Sequence, residues 1–268
     1  MAQVRKVGGA CVDIEWTVLG PIRNNVYLVS DGQGVCVVDP SCKPDEIMQM
    51  VGGRPVEAIV LTHRHYDHVG AAKALRDRTG ARVVASAVDG PWVAAGRSGF
   101  GEGAYEACPV DELVVDGDTL RIGDMSWRVI ATPGHTQGSM CLFLDPACGS
   151  KPDGAPVLVS GDTLFCASIG RTDFDGGSVA DMRRSLRRLA ELPDETIVLP
   201  GHESLTRIGA ERDRVFARFA EGGGPSASAR ARGQDYVPFT FIRGGLPSSR
   251  RFCKNCVKLS AAELFSDA

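Results

Sequence analysis

Between Thr62 and His68 the chain reads Thr-His-Arg-His-Tyr-Asp-His, so three imidazoles and one carboxylate fall within six residues. Imidazole nitrogens and carboxylate oxygens are the donors that hold zinc, iron or manganese, and the pattern H-x-H-x-D-H crowds them onto one short segment. If the backbone stays extended, alternation puts His63, His65 and Asp67 on one side. The sequence holds only five histidines in all. The other two, His135 and His202, each follow a Pro-Gly pair just after an apolar run. No histidine is left over for ordinary surface or core duty.

The same grammar recurs along the chain: an apolar strand ends, a Gly or Thr turn follows, and a metal-ligand side chain stands at the tip. The positions are His63, His65, Asp67 and His68 in the first case, then His135, Asp162 after Val157 to Gly161, and His202. These seven groups are too many for one tetrahedral zinc, which takes about four ligands. They suit two divalent ions sharing a bridge, since the two oxygens of an aspartate can each face one ion. Ions about 3.5–4 Å apart can also share a hydroxide. Zinc is the expected metal, with iron or manganese compatible with the same donors. A shared, acidified water is then the expected nucleophile, with Asp67 and Asp162 as the catalytic carboxylates. The sequence has no Gly-x-Ser-x-Gly elbow, and with every histidine committed a serine triad has no base.

The set H-x-H-x-D-H, Pro-Gly-His-Thr, Gly-Asp-Thr-Leu-Phe and Pro-Gly-His-Glu, in this order, resembles the metallo-β-lactamase superfamily. Gly161 to Phe165 followed by Ile169-Gly170-Arg171-Thr172-Asp173-Phe174 is similar to the short bacterial glyoxalase II (hydroxyacylglutathione hydrolase)-like proteins. The resemblance covers residues 12 to 220 and implies an α/β fold, an αββα sandwich with the metals at one edge between two sheets. It implies that His63, His65 and His135 bind one ion, that Asp67, His68 and His202 bind the other, and that Asp162 bridges them. Asp39, after the strand Val35 to Val38, resembles the family's aspartate that orients a ligand histidine; a plain turn aspartate before Pro40 is the other reading.

A metal-bridging hydroxide attacking a thioester, such as a hydroxyacylglutathione-like acyl thiol, is the expected activity. A thiolate with a parent pKa of about 8.5 leaves without a strong general acid. Lactones and phosphoesters are chemically open to the same site. A persulfide dioxygenase-like iron oxidoreductase is the alternative, because that family also carries a Gly-Arg-Thr-Asp-Phe run. A nuclease of the same fold is a third reading. The chain resembles no helical C-terminal glutathione-binding domain after Glu221.

The elements that must position these groups can be read from periodicity. Val12 to Val18 alternates as a half-buried strand, and Asn25 to Ser30 with Val35 to Asp39 reads as a hairpin. Pro44 opens a short helix with Asp45 and Glu46 in its first turn. A strand over Ala58 to Leu61 delivers the histidine motif, and a helix over Val69 to Thr79 stops at Gly80, before a strand at Arg82 to Ala85. Strands are expected over 113–116, 119–122, 127–131, 140–144, 157–160 and 197–199, and helices over 178–192 and 209–220. The second to last has Val179, Met182, Leu186 and Leu189 on one face and Arg183, Arg184, Arg187 and Arg188 on a solvated one. Ala87 to Pro109, with five glycines, Trp92 and Phe100, reads as a surface loop or as a wall beside a pocket. Arg171 and Asp173 either shape the pocket or pin their loop to the sandwich.

The 268 residues, 43% hydrophobic and 24% charged, describe an ordinary globular chain. A net charge of -3 gives no reason to expect nucleic acid or a membrane surface as partner. No apolar run reaches the ~18 residues needed to span a bilayer, and a cytoplasmic location with a small acyl-thiol substrate is expected. Nine scattered cysteines are then expected as free thiols. The expected domains are 1–221 and a linker with a basic, poorly ordered tail over 222–268, where seven Lys and Arg face three Asp and Glu. Within it Cys253 and Cys256 form one weak C-x-x-C, and Ser260 with Glu263 a capping box. Oligomeric state is not written in these features.

Overall fold

The computed structural model describes residues 3–99 and 105–220. Seven strands form one sheet in sequence order: β1 (Arg5–Lys6), β2 (Asp13–Leu19), β3 (Asn24–Ser30), β4 (Val35–Val38), β5 (Val56–Val60), β6 (Arg82–Ser86) and β7 (Glu112–Val114). β1 to β4 pair antiparallel, whereas β4 to β7 run parallel. Parallel neighbours need crossovers, and α1 (Pro44–Val51), α2 (Tyr66–Val69), α3 (Ala72–Thr79) and α4 (Gly90–Ala94) lie in them.

The second sheet takes β8 (Thr119–Ile122), β9 (Met125–Ala131), β10 (Met140–Leu144) and β11 (Val157–Gly161). A two-residue hairpin of β12 (Leu164–Phe165) and β13 (Ser168–Ile169) stands apart, and after α5 (Val179–Leu189) the chain returns through β14 (Ile197–Pro200) and β15 (Thr206–Arg207). Spatial order is β15-β14-β11-β10-β9-β8, with β11 and β14 parallel.

Alternation along each strand builds three apolar layers. On β3, Tyr27 and Val29 point to the other sheet, where Trp127, Leu142 and Leu199 meet them, while Val26 and Leu28 point outward to Ile47 of α1 and Leu75 of α3. On the far side Cys141, Phe143 and Val198 pack beneath Met182, Leu186 and Leu189 of α5. Two sheets, each buried on both faces, therefore lie between helices, the expected αββα sandwich.

Three expectations change. The helix expected over Val69 to Thr79 is two helices, α2 and α3, because Ala71 N–H donates to Pro40 O at 2.9 Å, outside the helical ladder. A Cβ on Gly70 would lie 2.4 Å from Ser41 O, so the backbone after β4 packs into that break. The last helix starts as a 3-10 turn at Gly209–Glu211 and continues as a wide π-helix over Arg212–Ala220. The arginines of α5 are only partly a solvated face: Arg187 donates to Ala220 O and Arg188 reaches Asp116 and Ala131 O. Among the described residues no helix is long and apolar enough to cross a membrane, and Cys11, Cys36, Cys42, Cys108, Cys141 and Cys148 are free thiols. The C-x-x-C, the capping box and the rest of 222–268 lie outside the described residues, as does Phe100.

Candidate metal centre

Parallel pairing decides where the candidate ligands meet. β4 and β5 end at one edge of the first sheet, β11 and β14 at one edge of the second. Backbone hydrogen bonds stitch these edges together: Met140 N–H donates to Thr62 O at 3.0 Å and Asn25 N–H to Gly201 O at 2.8 Å. All seven sequence-derived positions converge there. His63, His65 and His135 form one trio and Asp67, His68 and His202 another, the donor atoms of each lying within 4.8 Å of one another. Asp39, His63 and His68 make a third such group.

Asp162 lies between the two trios. Its Oδ2 is 3.4 Å from His135 Nε2 and 3.5 Å from His202 Nε2, and its Oδ1 is 3.4 Å from His68 Nε2. Asp67 Oδ2 is 3.3 Å from His202 Nε2 and 3.4 Å from His68 Nε2. The extended alternation expected for His63, His65 and Asp67 holds only through His65. His65 is the extended residue capping α2, so Asp67 and His68 sit on a helical turn and turn toward the second trio.

The outer nitrogens of three rings are fixed by acceptors, which turn the other nitrogen inward toward the centre. His68 Nδ1 meets Asp39 Oδ2 at 2.9 Å, His135 Nδ1 meets Arg171 O at 2.7 Å and His202 Nδ1 meets Ile22 O at 3.1 Å. Asp39 also accepts from Thr62 N and Oγ1, at 2.8 and 2.7 Å. It thus orients a histidine as the resemblance implied. The donors fit a metal: His63 Nε2 and Asp162 Oδ1 are buried without a hydrogen bond, and His65 Nδ1 faces the inward His135 Nε2 at 2.8 Å. Buried polar atoms without a partner are costly, and a cation taking their lone pairs removes that cost.

The two trios differ in charge. Burial, then the His68 imidazole, holds His63 well below the usual histidine range. Burial and then His135 push His65 down to about 3, and burial also lowers His135. In the second trio burial acts the same way but carboxylates outweigh it. Asp162, Asp67 and Asp39 raise His68 well above its usual range, and Asp162 with Asp67 brings His202 up to about 10. Burial would raise the carboxyls of Asp67 and Asp162, yet His68 and His202 hold both well below the ordinary carboxylate range.

Several supporting residues escaped the sequence reading. Asn24 Nδ2 donates to Asp67 Oδ2 at 2.8 Å, and Tyr27 Oη donates to Pro200 O at 2.7 Å beside His202. Phe174 stands edge-on to His65 and His135, with centroids at 5.6 and 5.8 Å, and Phe165 to His202 at 6.0 Å. Asn24 and Asn25, two polar residues opening a fully buried strand, were the one available signal. Arg171 and Asp173 pair with each other, and the guanidinium lies over Phe174 at 4.2 Å. Their loop is anchored through Arg171 O, not through that pair. Trp92 lies under Arg64 at 4.2 Å, so within Ala87 to Pro109 the helix α4 packs behind the candidate ligands, while Val88 lies half exposed at the surface.

A model of the metallo-beta-lactamase superfamily matches residues 19–202. A protein of Aquifex aeolicus is 35% identical over 214 residues, 75% of this chain and 94% of its own. The hydroxyacylglutathione hydrolase of Cereibacter sphaeroides is 33% identical over 261 residues, covering 91% of this chain and 92% of its own. Among solved structures, the BLEG-1 B3 metallo-beta-lactamase superposes with a TM-score of 0.69 at 32% identity, over 76% of this chain and 99% of its own. TTHA1623 in a di-iron-bound form gives 0.61 at 32%, over 74% and 96%. ETHE1 from Myxococcus xanthus gives 0.58 at 30%, over 82% and 85%.

Proposed function

This chain belongs to the metallo-beta-lactamase superfamily, and on that premise we propose that it is a dinuclear metal-dependent hydrolase acting on a thioester. The observation that carries the dinuclear reading is Asp162, whose carboxylate lies within 3.5 Å of both trios. His63, His65 and His135 would hold one ion, Asp67, His68 and His202 the other, and Asp162 both. When bound, two divalent cations supply Lewis acidity and a water acidified toward neutral pH.

The chain's own residues orient that chemistry. Asp39, Arg171 O and Ile22 O hold three imidazoles in one tautomer and one direction. Ionised Asp67 and Asp162 are acceptors able to align the proton of an attacking water. Phe165 and Phe174 set apolar rings edge-on beside the histidines. A thioester suits the site because its thiolate leaves without strong protonation, and the hydroxyacylglutathione hydrolase relative matches over nearly its whole length. Zinc is the metal proposed, with iron or manganese compatible with the same donors.

Metal analysis combined with a panel of acyl thiols tests the reading. The expected result is two ions per chain, thioester turnover, and loss of both in Asp162→Ala. A two-metal preparation that hydrolyses no acyl thiol would refute the substrate class. The run Gly170-Arg171-Thr172-Asp173-Phe174 keeps a persulfide dioxygenase-like iron oxidoreductase as the second reading; one iron per chain, with oxygen uptake on a persulfide, would replace the hydrolase with it. The complete second trio weighs against that outcome.

A further inference from the structure

Arg64 stands between two candidate ligands, His63 and His65, and its side chain is only 2% exposed. Alternation sends it away from the metal edge and into the fold. A buried guanidinium needs a partner for its charge and acceptors for its protons, and it has both. Nη1 donates to Asp89 Oδ1 at 2.9 Å, Nε to Ser98 O at 3.3 Å and Nη2 to Asp175 O at 2.9 Å, with the Trp92 ring beneath. The Asp89 side chain is itself 2% exposed.

The second oxygen of Asp89 does something different. Asp89 Oδ2 accepts from the backbone N–H of Arg64 at 3.0 Å and from Thr136 Oγ1 at 2.7 Å. One carboxylate thus grips the chain between His63 and His65 and also grips the residue after His135. Those are the two segments that supply the whole of the first trio. The packing leaves no slack: a Cβ on Gly138 would lie 2.4 Å from Asp89 Cγ, and one on Gly99 would lie 2.9 Å from Arg64 Nε. Through Arg64 the same carboxylate holds Asp175, the neighbour of the Phe174 ring that packs on His65 and His135.

The second trio is braced by other groups. Asn24 holds Asp67 and Asp39 holds His68. Asp39 also reaches His63 through the Thr62 hydroxyl, at 3.0 Å from His63 Nδ1, so it serves both trios. The hydrogen bonds of Asp89 fall between His63 and His65 and next to His135, and none reaches Asp67, His68 or His202 themselves.

We propose that Asp89, through Arg64 and Thr136, is a positioning residue that presets the spacing of the first trio and selectively sets its metal affinity. The inference rests on the two-ion reading. Groups that orient ligands from behind commonly change metal affinity about 10–100-fold when removed.

Zinc competition against a chromophoric chelator tests it in two single-site backgrounds. His202→Ala leaves the first trio whole, and His135→Ala leaves the second. Thr136→Val, which keeps the shape and removes the hydroxyl, is expected to weaken zinc about 10–100-fold in the His202→Ala protein and to leave affinity unchanged in the His135→Ala protein. Thr136→Ser should restore the parent affinity. Asp89→Asn, read the same way, should act in the same background only. Equal weakening in both backgrounds, or none in either, would overturn the proposal. So would unfolding of both Thr136→Val and Asp89→Asn while their parents fold, because the carboxylate would then support the fold alone. If the unsubstituted protein binds fewer than two zinc ions, the dinuclear reading has failed and not this one.

Discussion

Residues at the metal edge carry opposite protonation in the metal-free protein. His65, near 3, and the depressed His63 and His135 are neutral at pH 7, whereas His68 and His202, the latter near 10, hold protons against Asp162 and Asp67. A cation entering the second trio must displace those protons. Titration calorimetry in buffers of different ionisation enthalpy should show about two protons released at pH 7 for that ion and almost none for the first. Equal release in both steps would contradict this charge assignment. The same shifts set metal-free stability. His202 has a folded pKa above its unfolded value of about 6.5, so its contribution is full below that value and is lost as pH rises through about 10. His65 is depressed, so its contribution is full above about 6.5 and is lost as pH falls toward about 3. Together these two groups favour the metal-free fold most near pH 6.5.

Elements deliver the ligands only because their ends approach closely. The end of β14 reaches the centre through Gly201, where a Cβ would lie 2.3 Å from Asp162 Oδ1 and 2.6 Å from His68 Cε1. Gly201→Ala should force Asp162 or β14 to retreat, at about 1–3 kcal/mol as for other overpacked sites. Thermal unfolding should show a lower midpoint, and the purified variant should retain less metal than the parent. Metal content and midpoint equal to the parent would mean that β14 moves without strain. The neighbouring hairpin of β12 and β13 is held differently: buried Glu211 accepts from Ala167 N at its tip at 2.9 Å and from Thr206 Oγ1 at 2.5 Å, tying Phe165 in place beside His202.

At the scale of the whole molecule the centre belongs to neither sheet. β5 brings His63 and His65 from one sheet, and β11 and β14 bring Asp162 and His202 from the other. Bound ions would therefore bridge the layers and stabilise only the folded state, by about 2.7 kcal/mol when free ion exceeds Kd a hundredfold. Removing metal with a chelator should lower the unfolding midpoint, and re-addition should restore it. A midpoint indifferent to chelation would mean that the sandwich is held by its apolar layers alone. Leu186→Ala, in the layer beneath α5, gives the contrast: a loss of about 2–5 kcal/mol with unchanged metal affinity.

The seven ligand-type side chains and most strands were legible in the sequence, because donor chemistry and alternation are local properties of neighbouring residues. Val12 to Val18, Met140 to Leu144 and Ile197 to Leu199 reveal themselves by pattern, and Ser178 marks the start of α5 by accepting from Asp181 N. Which donors lie together was not local. The grouping of His135 with His63 and His65 depends on β9 and β10 lying across from β5, and the division of the motif depends on a helical turn that begins at Tyr66. Asp89 carried no sequence signal at all, since its partners Arg64 and Thr136 lie 25 and 47 residues away. Only the packed sandwich brings one carboxylate to both segments, because contacts between sheets are set by burial and pairing over long separations and leave no periodic trace in the chain.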